Sequence, residues 1–232
     1  MIDQGVKEVL WQVMAPGLVV SKAAARLRFL RARGLKLHLG AGPVKLPGFL
    51  NVDINPMRRP DLWLDVRGGL PFRDSSVSFI YTSHTLEHFG MKDLARLLAE
   101  CHRVLMVDGV LRIVVPDLRK AIKAYSERRT EWFIDYPQKF QTPGGRFTNY
   151  IFCDAQHKCA FDSDFLSELL AGTGFSQVVE TSSGESPAGD RYPLAVSNYE
   201  RGQRDDRSLY IEGHKGTNGH GGSAKTSGDE RI

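Results

Sequence analysis

Short apolar runs alternate with helical patterns along most of this chain, and this alternation constrains its fold more than any other feature. Runs rich in β-branched or aromatic residues predict strands at residues 36–39, 50–54, 62–64, 77–82, 110–115, 176–180 and 208–212. The spacing of apolar residues predicts helices between them, at residues 91–105, 117–129 and 162–175. Such an alternation indicates an α/β fold, in which helices cover both faces of a parallel sheet.

Turn and capping residues predict where some of these elements begin and end. Asp162 or Ser163 is the expected N-cap of the third helix, and Gly172 is expected at its C-terminal end. Asp108 and Gly109 are expected to turn the chain into the fifth strand.

The two ends of the chain differ in composition from its centre. Residues 1–34 predict a helical extension of two helices, which Ala15-Pro16-Gly17 interrupts and Gly34 ends. Residues 213–232 are rich in Gly, Ser and Thr and predict a disordered tail. We therefore expect one central domain at 35–212, with an aromatic-rich insert at about 131–161.

Cysteine content and hydropathy narrow the class of protein. The three cysteines are an odd and sparse set, which argues against a disulfide framework. Cys153, His157 and Cys159 lack the paired short spacings of structural zinc sites, so no metal ligand is predicted. No basic leader opens the chain, and no apolar run approaches the roughly 18 residues that span a bilayer. We therefore expect a cytoplasmic protein.

A glycine loop follows the first predicted strand, in the stretch LHLGAGPVKLPGFLNVD. Gly40 and Gly42 allow the backbone to curve closely beneath a ligand, where a Cβ would be in the way. Asp53 closes the second strand, where a carboxylate can accept hydrogen bonds from both hydroxyls of a ribose. Asp65 closes the third, where it can accept one from an adenine amino group. In a parallel sheet, ligands bind outside these carboxyl ends, so the pattern predicts a nucleoside site.

A nicotinamide-binding fold is the natural alternative, but the loop departs from its pattern. Lys45 stands where the third glycine is required, and Asp53 follows Gly40 by 13 residues, whereas the dinucleotide fingerprint places its acid about 20 residues on. The segment 43–49 is too short for a full helix, which leaves no helix N-terminus for a pyrophosphate. A nucleoside without phosphates fits the loop better.

These residues resemble the class I S-adenosylmethionine-dependent methyltransferases, in particular small ones associated with bacterial surface polysaccharide synthesis. The resemblance covers residues 35–180 and rests on the glycine loop, LPFRDSSVSFIYTSHTLEHF, AECHRVLMVDGVLRIVVPDL and HKCAFD. It implies a Rossmann-like, seven-stranded sheet whose last strand is reversed and is completed by residues 208–212. It also implies that S-adenosylmethionine contacts His38, Leu39, Gly40, Ala41, Gly42, Asp53, Ile54, Asp65, Val66 and His84.

Histidines supply the candidates for proton transfer. Methyl transfer requires a positioned acceptor and often the removal of its proton. His84 follows the fourth strand and is the first candidate, with His88 one turn further along and His157 in the insert as a reserve. The alternative is that His84 packs against the cofactor, while Glu87 and His88 hold the loop.

The predicted function is O-methylation of a carbohydrate or glycolipid intermediate. Two alternatives stay open: a catalytically silent binding subunit of the same fold, and a nicotinamide-dependent oxidoreductase. The insert at 131–161 is either a lid over a small-molecule or glycolipid acceptor or a satellite core.

A basic run lies close to the N-terminus and carries no acidic residue. Its apolar positions Val20, Ala23, Leu27 and Leu30 either seat on an anionic membrane surface or cover the sheet. Nucleic acid is not expected as a partner. The cationic residues of the run are Lys22, Arg26, Arg28, Arg31, Arg33 and Lys36.

Overall fold

A single seven-stranded sheet forms the centre of the protein. The computed structural model describes residues 4–203 and 206–217. The sheet order is β3-β2-β1-β4-β5-β7-β6, with β7 antiparallel to both neighbours and the other pairs parallel. The predicted Rossmann-like sheet with its reversed last strand is thus confirmed. The strands are β1 (Leu35–Leu39), β2 (Leu50–Asp53), β3 (Leu62–Trp63), β4 (Val77–Ser83), β5 (Leu105–Pro116), β6 (Gln177–Thr181) and β7 (Ser208–His214).

Helices cover both faces of the sheet, as predicted. Alternate residues of β4 point to opposite sides, so that Ile80 belongs to one core and Phe79 to the other. Three helices, α1, α2 and α5, contribute to the larger core, and α6 contributes to the smaller one. The six helices of the described residues are α1 (Gln4–Arg28), α2 (Met91–Val104), α3 (Leu118–Ser126), α4 (Pro143–Phe152), α5 (Ser163–Gly172) and α6 (Leu194–Gln203).

The predicted interruption of the N-terminal helix is wrong. A single helix, α1, continues through Pro16 to Arg28. Gly17 lies against β3, where an added Cβ would be 2.7 Å from the Trp63 ring, and the Ser21 hydroxyl donates to the Trp63 carbonyl at 2.6 Å. These tertiary contacts outweigh the local preference of proline to end a helix.

Of the two roles considered for the apolar positions of this helix, cover for the sheet is wrong. Leu18 and Ala25 are the buried positions, whereas Val20 is 68 % exposed and Leu27 is 77 % exposed. Leu30, beyond the end of the helix, is exposed as well. The described surface of α1 therefore carries apolar side chains that do not pack on the sheet.

Two further boundaries differ from the sequence-based expectation. Asp108 and Gly109 lie within β5 and do not precede it, although Asp108 has a positive φ of 62°. Pairing continues through them, because the Asp108 N–H donates to the Lys215 carbonyl and the Gly109 carbonyl accepts from the Lys215 N–H. The tail predicted from residue 213 begins too early, because β7 extends to His214. Lys215 is buried, and its ammonium group donates to carbonyls at the C-terminal end of α2. The rest of the predicted tail, 218–232, lies outside the described residues.

A buried ionic network joins the antiparallel edge of the sheet to α6. Arg112 of β5 is fully buried and donates to both carboxylate oxygens of Glu200, at 3.0 and 2.6 Å. It also donates to Glu212 of β7 at 3.2 Å and to the carbonyls of Ser182 and Glu185. Burial alone would lower the pKa of Arg112, but the hydrogen bonds and charge of Glu200 raise it. The guanidinium therefore stays charged and holds two buried carboxylates together.

Replacement of this guanidinium is expected to destabilise the fold strongly. Arg112→Met preserves much of the side-chain volume but leaves Glu200 and Glu212 uncompensated, which costs about 3–5 kcal/mol for a broken buried pair. Urea denaturation measures the free energy of unfolding. The matched control is Arg119→Ala, which removes an exposed ion pair with Asp164 and should change little. Equal stability of the two variants would show that the network is not a stabilising element.

Candidate active site

A cavity of about 380 Å³ lies at the carboxyl ends of the first four strands. Gly40 follows β1, Asp53 ends β2, Asp65 lies just beyond β3, and His84 follows β4; all four line the cavity. Ile54 and Val66, the neighbours of the two aspartates, line it too. Six of the residues predicted from sequence to contact the cofactor are thus brought to one place by the strand order.

The glycine loop runs from β1 to β2 without forming a helix, as expected. Gly40 has a φ of +68°, and a Cβ there would lie 2.2 Å from the Thr85 hydroxyl. Glycine is therefore required at this position by the packing of Thr85, a constraint that the sequence did not reveal. Gly42 has a φ of +53°, and its N–H donates to the Asp53 carboxylate at 2.7 Å.

Both strand-end carboxylates are held in fixed orientations. Asp53 accepts from the N–H groups of Gly42 and Asn55, each at 2.7 Å. Asp65 accepts from the N–H of Arg67 at 3.0 Å and from its guanidinium at 2.9 Å. Each carboxylate oxygen has two lone pairs, so both groups keep acceptor capacity for a ligand. Arg67 lines the cavity and was not predicted, although its spacing from Asp65 places it in the same turn.

Three of the predicted cofactor residues lie in the interior behind the loop. Leu39 and Ala41 belong to the buried core. His38 is buried, with its Nδ1 3.2 Å from the Asn51 side-chain oxygen and its ring against Tyr81. Burial lowers the pKa of His38 to about 4, partly opposed by the hydrogen bond to Asn51. Its ring is therefore neutral and supports the loop from beneath.

A second cavity, of about 300 Å³, adjoins the first, and His84 and His88 line both. Its other walls come from the insert and from Arg207, which precedes β7. The insert forms the satellite core considered for it, and its role as a lid over an acceptor stays a prediction. Trp132, Phe133 and Tyr150 pack with α3 as a satellite core, while residues between 134 and 157 line the second cavity.

The three predicted catalytic histidines lie together at this junction. His84 has a φ of +48°; its Nδ1 is 3.5 Å from a Glu87 carboxylate oxygen, and its Nε2 is 3.2 Å from the Ser208 hydroxyl. The rings of His88 and His157 have centroids 5.1 Å apart. Burial lowers the pKa of His157, an effect that the charge of Glu87 partly opposes.

One known protein family is similar to the central part of the chain. Residues 63–113, from the end of β3 to the middle of β5, match a family model described as a methyltransferase domain. The central strands of the chain are therefore similar to a methyltransferase domain. No curated protein sequence matches the chain significantly.

Several solved structures are similar to the chain at low sequence identity. A possible histamine N-methyltransferase from Thermotoga maritima is 16 % identical, with 90 % of this chain and 94 % of that chain covered and a TM-score of 0.45. A methyltransferase from Archaeoglobus fulgidus is 15 % identical, with 90 % and 99 % covered and a TM-score of 0.48. A putative one from Methanococcus maripaludis is 15 % identical, with 94 % and 95 % covered and a TM-score of 0.47. We draw no argument about substrate from these likenesses.

The first cavity fits S-adenosylmethionine. Its volume lies within the range of about 300–1,000 Å³ that is usual for small-molecule sites. Gly40 and Gly42 both adopt the left-handed backbone that curves the loop around the end of β1. The carboxylates of Asp53 and Asp65 suit the hydroxyl and amino groups of a nucleoside.

Loss of the β2 carboxylate is expected to weaken cofactor binding. Asp53→Ala removes hydrogen bonds to a charged group, worth about 1.5–3 kcal/mol, so the Kd for S-adenosylhomocysteine should rise about 10- to 100-fold by calorimetry. Asp164→Ala, on the exposed surface of α5, is the control. Wild-type affinity in a folded Asp53→Ala protein would place the cofactor elsewhere.

Proposed function

We propose that the enzyme transfers a methyl group to a hydroxyl of a carbohydrate or glycolipid acceptor. The observation that carries this proposal is the junction of two cavities at His84 and His88. The first cavity holds the donor and the second holds the acceptor. A proton-accepting side chain then lies where the two substrates meet.

The donor contacts follow from the strand ends. Asp53 accepts hydrogen bonds from the ribose hydroxyls, and Asp65 with Val66 contacts the adenine. Gly40 and Gly42 lie beneath the methionine portion. His38, Leu39 and Ala41 support the loop from the core, so their contribution to binding is indirect.

His84 is the proposed general base. S-adenosylmethionine supplies an electrophilic methyl group on a sulfonium centre. The tautomer with hydrogen on Nδ1, facing Glu87, has its lone pair on Nε2, where the Ser208 hydroxyl lies 3.2 Å away and shares this nitrogen with the acceptor. His84 thus accepts the proton of the acceptor hydroxyl, and the carboxylate of Glu87 stabilises the resulting imidazolium.

The second cavity supports a carbohydrate acceptor. Tyr136 and Tyr150 line it, and aromatic rings offer the flat apolar surface against which a sugar ring packs. Asn149 and Arg207 also line it and supply amide and guanidinium groups suited to hydroxyls.

The N-terminal helix supports a glycolipid in particular. Val19, Val20 and Leu27 are exposed on α1, beside the exposed basic residues Arg26 and Arg28. Apolar and basic side chains on one helix suit the surface of an anionic membrane. No helix in the described part of the chain is long and apolar enough to cross a membrane. We propose that α1 rests on the lipid surface that carries the acceptor.

A screen with radiolabelled donor tests the acceptor class. Free saccharides are compared with lipid-linked saccharides in anionic vesicles. We expect label in the saccharide that resists alkaline hydrolysis, as an O-methyl ether does and an ester does not. Label in amines or proteins would contradict the acceptor class. Binding of S-adenosylhomocysteine without transfer to any acceptor would favour the catalytically silent subunit.

The proposed general base is tested by substitution. His84→Ala is expected to lower kcat about 10²-fold or more, the lower end of general-base contributions, with little change in affinity for S-adenosylhomocysteine. His102→Ala is the matched control, because His102 lies on α2 against Phe175. Full turnover by His84→Ala with loss of turnover by His157→Ala would place the base on the insert, and full turnover by both variants would show that positioning alone drives the reaction.

A further inference from the structure

Glu87, His88 and His157 meet at the wall of the second cavity. Each offers one ligand atom, and these atoms all lie within 4.8 Å of one another. The main chain fixes this proximity, because the N–H groups of Lys158 and Cys159 donate to the Glu87 carbonyl at 2.7 and 3.2 Å. The backbone thus holds the segments that carry these three residues close together.

The imidazoles of His88 and His157 both have Nε2 available as the ligand atom. The Nδ1 of His88 lies 3.1 Å from the Gln156 carbonyl, and the Nδ1 of His157 lies 3.1 Å from the Ile151 carbonyl. A carbonyl oxygen only accepts, so each neutral ring carries its hydrogen on Nδ1 and its lone pair on Nε2. Metal-bound histidines are oriented in this way, by a hydrogen bond from the nitrogen that does not bind the metal.

The carboxylate of Glu87 is almost fully buried, and one of its oxygens has no hydrogen-bond partner among the described residues. Its side chain is only 2 % exposed. One oxygen, Oε1, lies 3.5 Å from Nδ1 of His84, while the other, Oε2, is buried without a hydrogen-bond partner among the described residues. A buried carboxylate oxygen that nothing satisfies costs free energy, so such groups are normally paired or bound to a metal. The contact with His84 gives Oε1 a partner but leaves Oε2 without one among the described residues.

We propose that Glu87, His88 and His157 bind one divalent transition metal ion, with Zn²⁺ as the best match. Two imidazoles and one carboxylate form a ligand set that catalytic zinc sites use, with a further position open. Atoms bound to one zinc ion lie at most about 4.2 Å apart, given bonds of about 2.1 Å, so small side-chain rotations complete the site. The sequence did not reveal the set, because His157 is distant in the chain from the other two residues.

The role of the ion rests on the proposed function. All three proposed ligands line the cavity assigned to the acceptor, so an acceptor hydroxyl would reach the ion from that cavity. A cation there lowers the pKa of a bound hydroxyl, as zinc does for water. His84, which is outside the metal set, then accepts that proton more readily and releases it to solvent. Net transfer converts the hydroxyl to a methyl ether, and the S–CH₃ bonding electrons remain on sulfur.

Zinc titration of the untagged full chain, stripped with a chelator, tests the site. We expect one high-affinity Zn²⁺ per chain by competition with a chromophoric zinc indicator. Loss of a second-shell partner alone weakens metal sites about 10- to 100-fold, so His157→Ala and Glu87→Gln should weaken binding about 100-fold or more. His88→Ala removes an exposed ligand and guards against misfolding of the buried variants. His102→Ala should bind zinc like the wild type.

Two results would overturn the proposal: wild-type zinc affinity in folded His88→Ala and His157→Ala proteins, or no stoichiometric binding by the wild type. Cobalt substitution gives a second readout, and the Co²⁺ absorption spectrum of the wild type should lack a thiolate charge-transfer band. Such a band would show that Cys153, which lines the same cavity, replaces the proposed set. Binding of S-adenosylhomocysteine is measured in parallel. Failure of zinc binding with intact cofactor binding rejects the metal site alone, whereas failure of cofactor binding rejects the proposed function.

Discussion

The antiparallel side of the sheet depends on one buried positive charge. Arg112 lies between the rings of Tyr192 and Tyr210, 5.3 and 5.4 Å from their centroids, and bridges Glu200 and Glu212. Without it, carboxylates from α6 and β7 would face one another in the interior. Because β7 begins at Ser208, which contacts His84, this charge also fixes one wall of the candidate active site. Stability and site geometry are therefore linked through β5 and β7.

The two cavities are joined by a short turn that has several structural roles. Residues Leu86–His88 follow His84 and form a single 3₁₀ turn. The Glu87 carbonyl anchors the segment that carries His157, while its side chain faces the histidines. A single residue thus connects the turn that follows β4 to the insert. Changes at Glu87 are therefore expected to affect both cavities.

The sequence predicted correctly those features that depend on residues close together in the chain. Asp117 and Asp162 cap their helices as such residues usually do, and Asp53 and Asp65 could be placed because the carboxyl ends of parallel strands share one edge. The errors arise where distant residues decide the outcome. Trp63 supports α1 beyond Pro16, and the backbone of Lys215 pairs with β5 at Asp108. The burial of His38 beneath Asn51 and the approach of His157 to Glu87 are also long-range contacts, which periodicity does not encode.

The backbone of His84 has a consequence for the evolution and engineering of this enzyme. A residue other than glycine held at a φ of +48° carries a conformational cost of about 1–3 kcal/mol. Glycine or asparagine would relieve that cost, so selection for thermal resistance alone would favour removing the imidazole. With His84 as the proposed general base, directed evolution for heat tolerance would enrich inactive proteins at this position. Substitutions intended to raise thermal stability should therefore be made at other positions, with His84 kept unchanged.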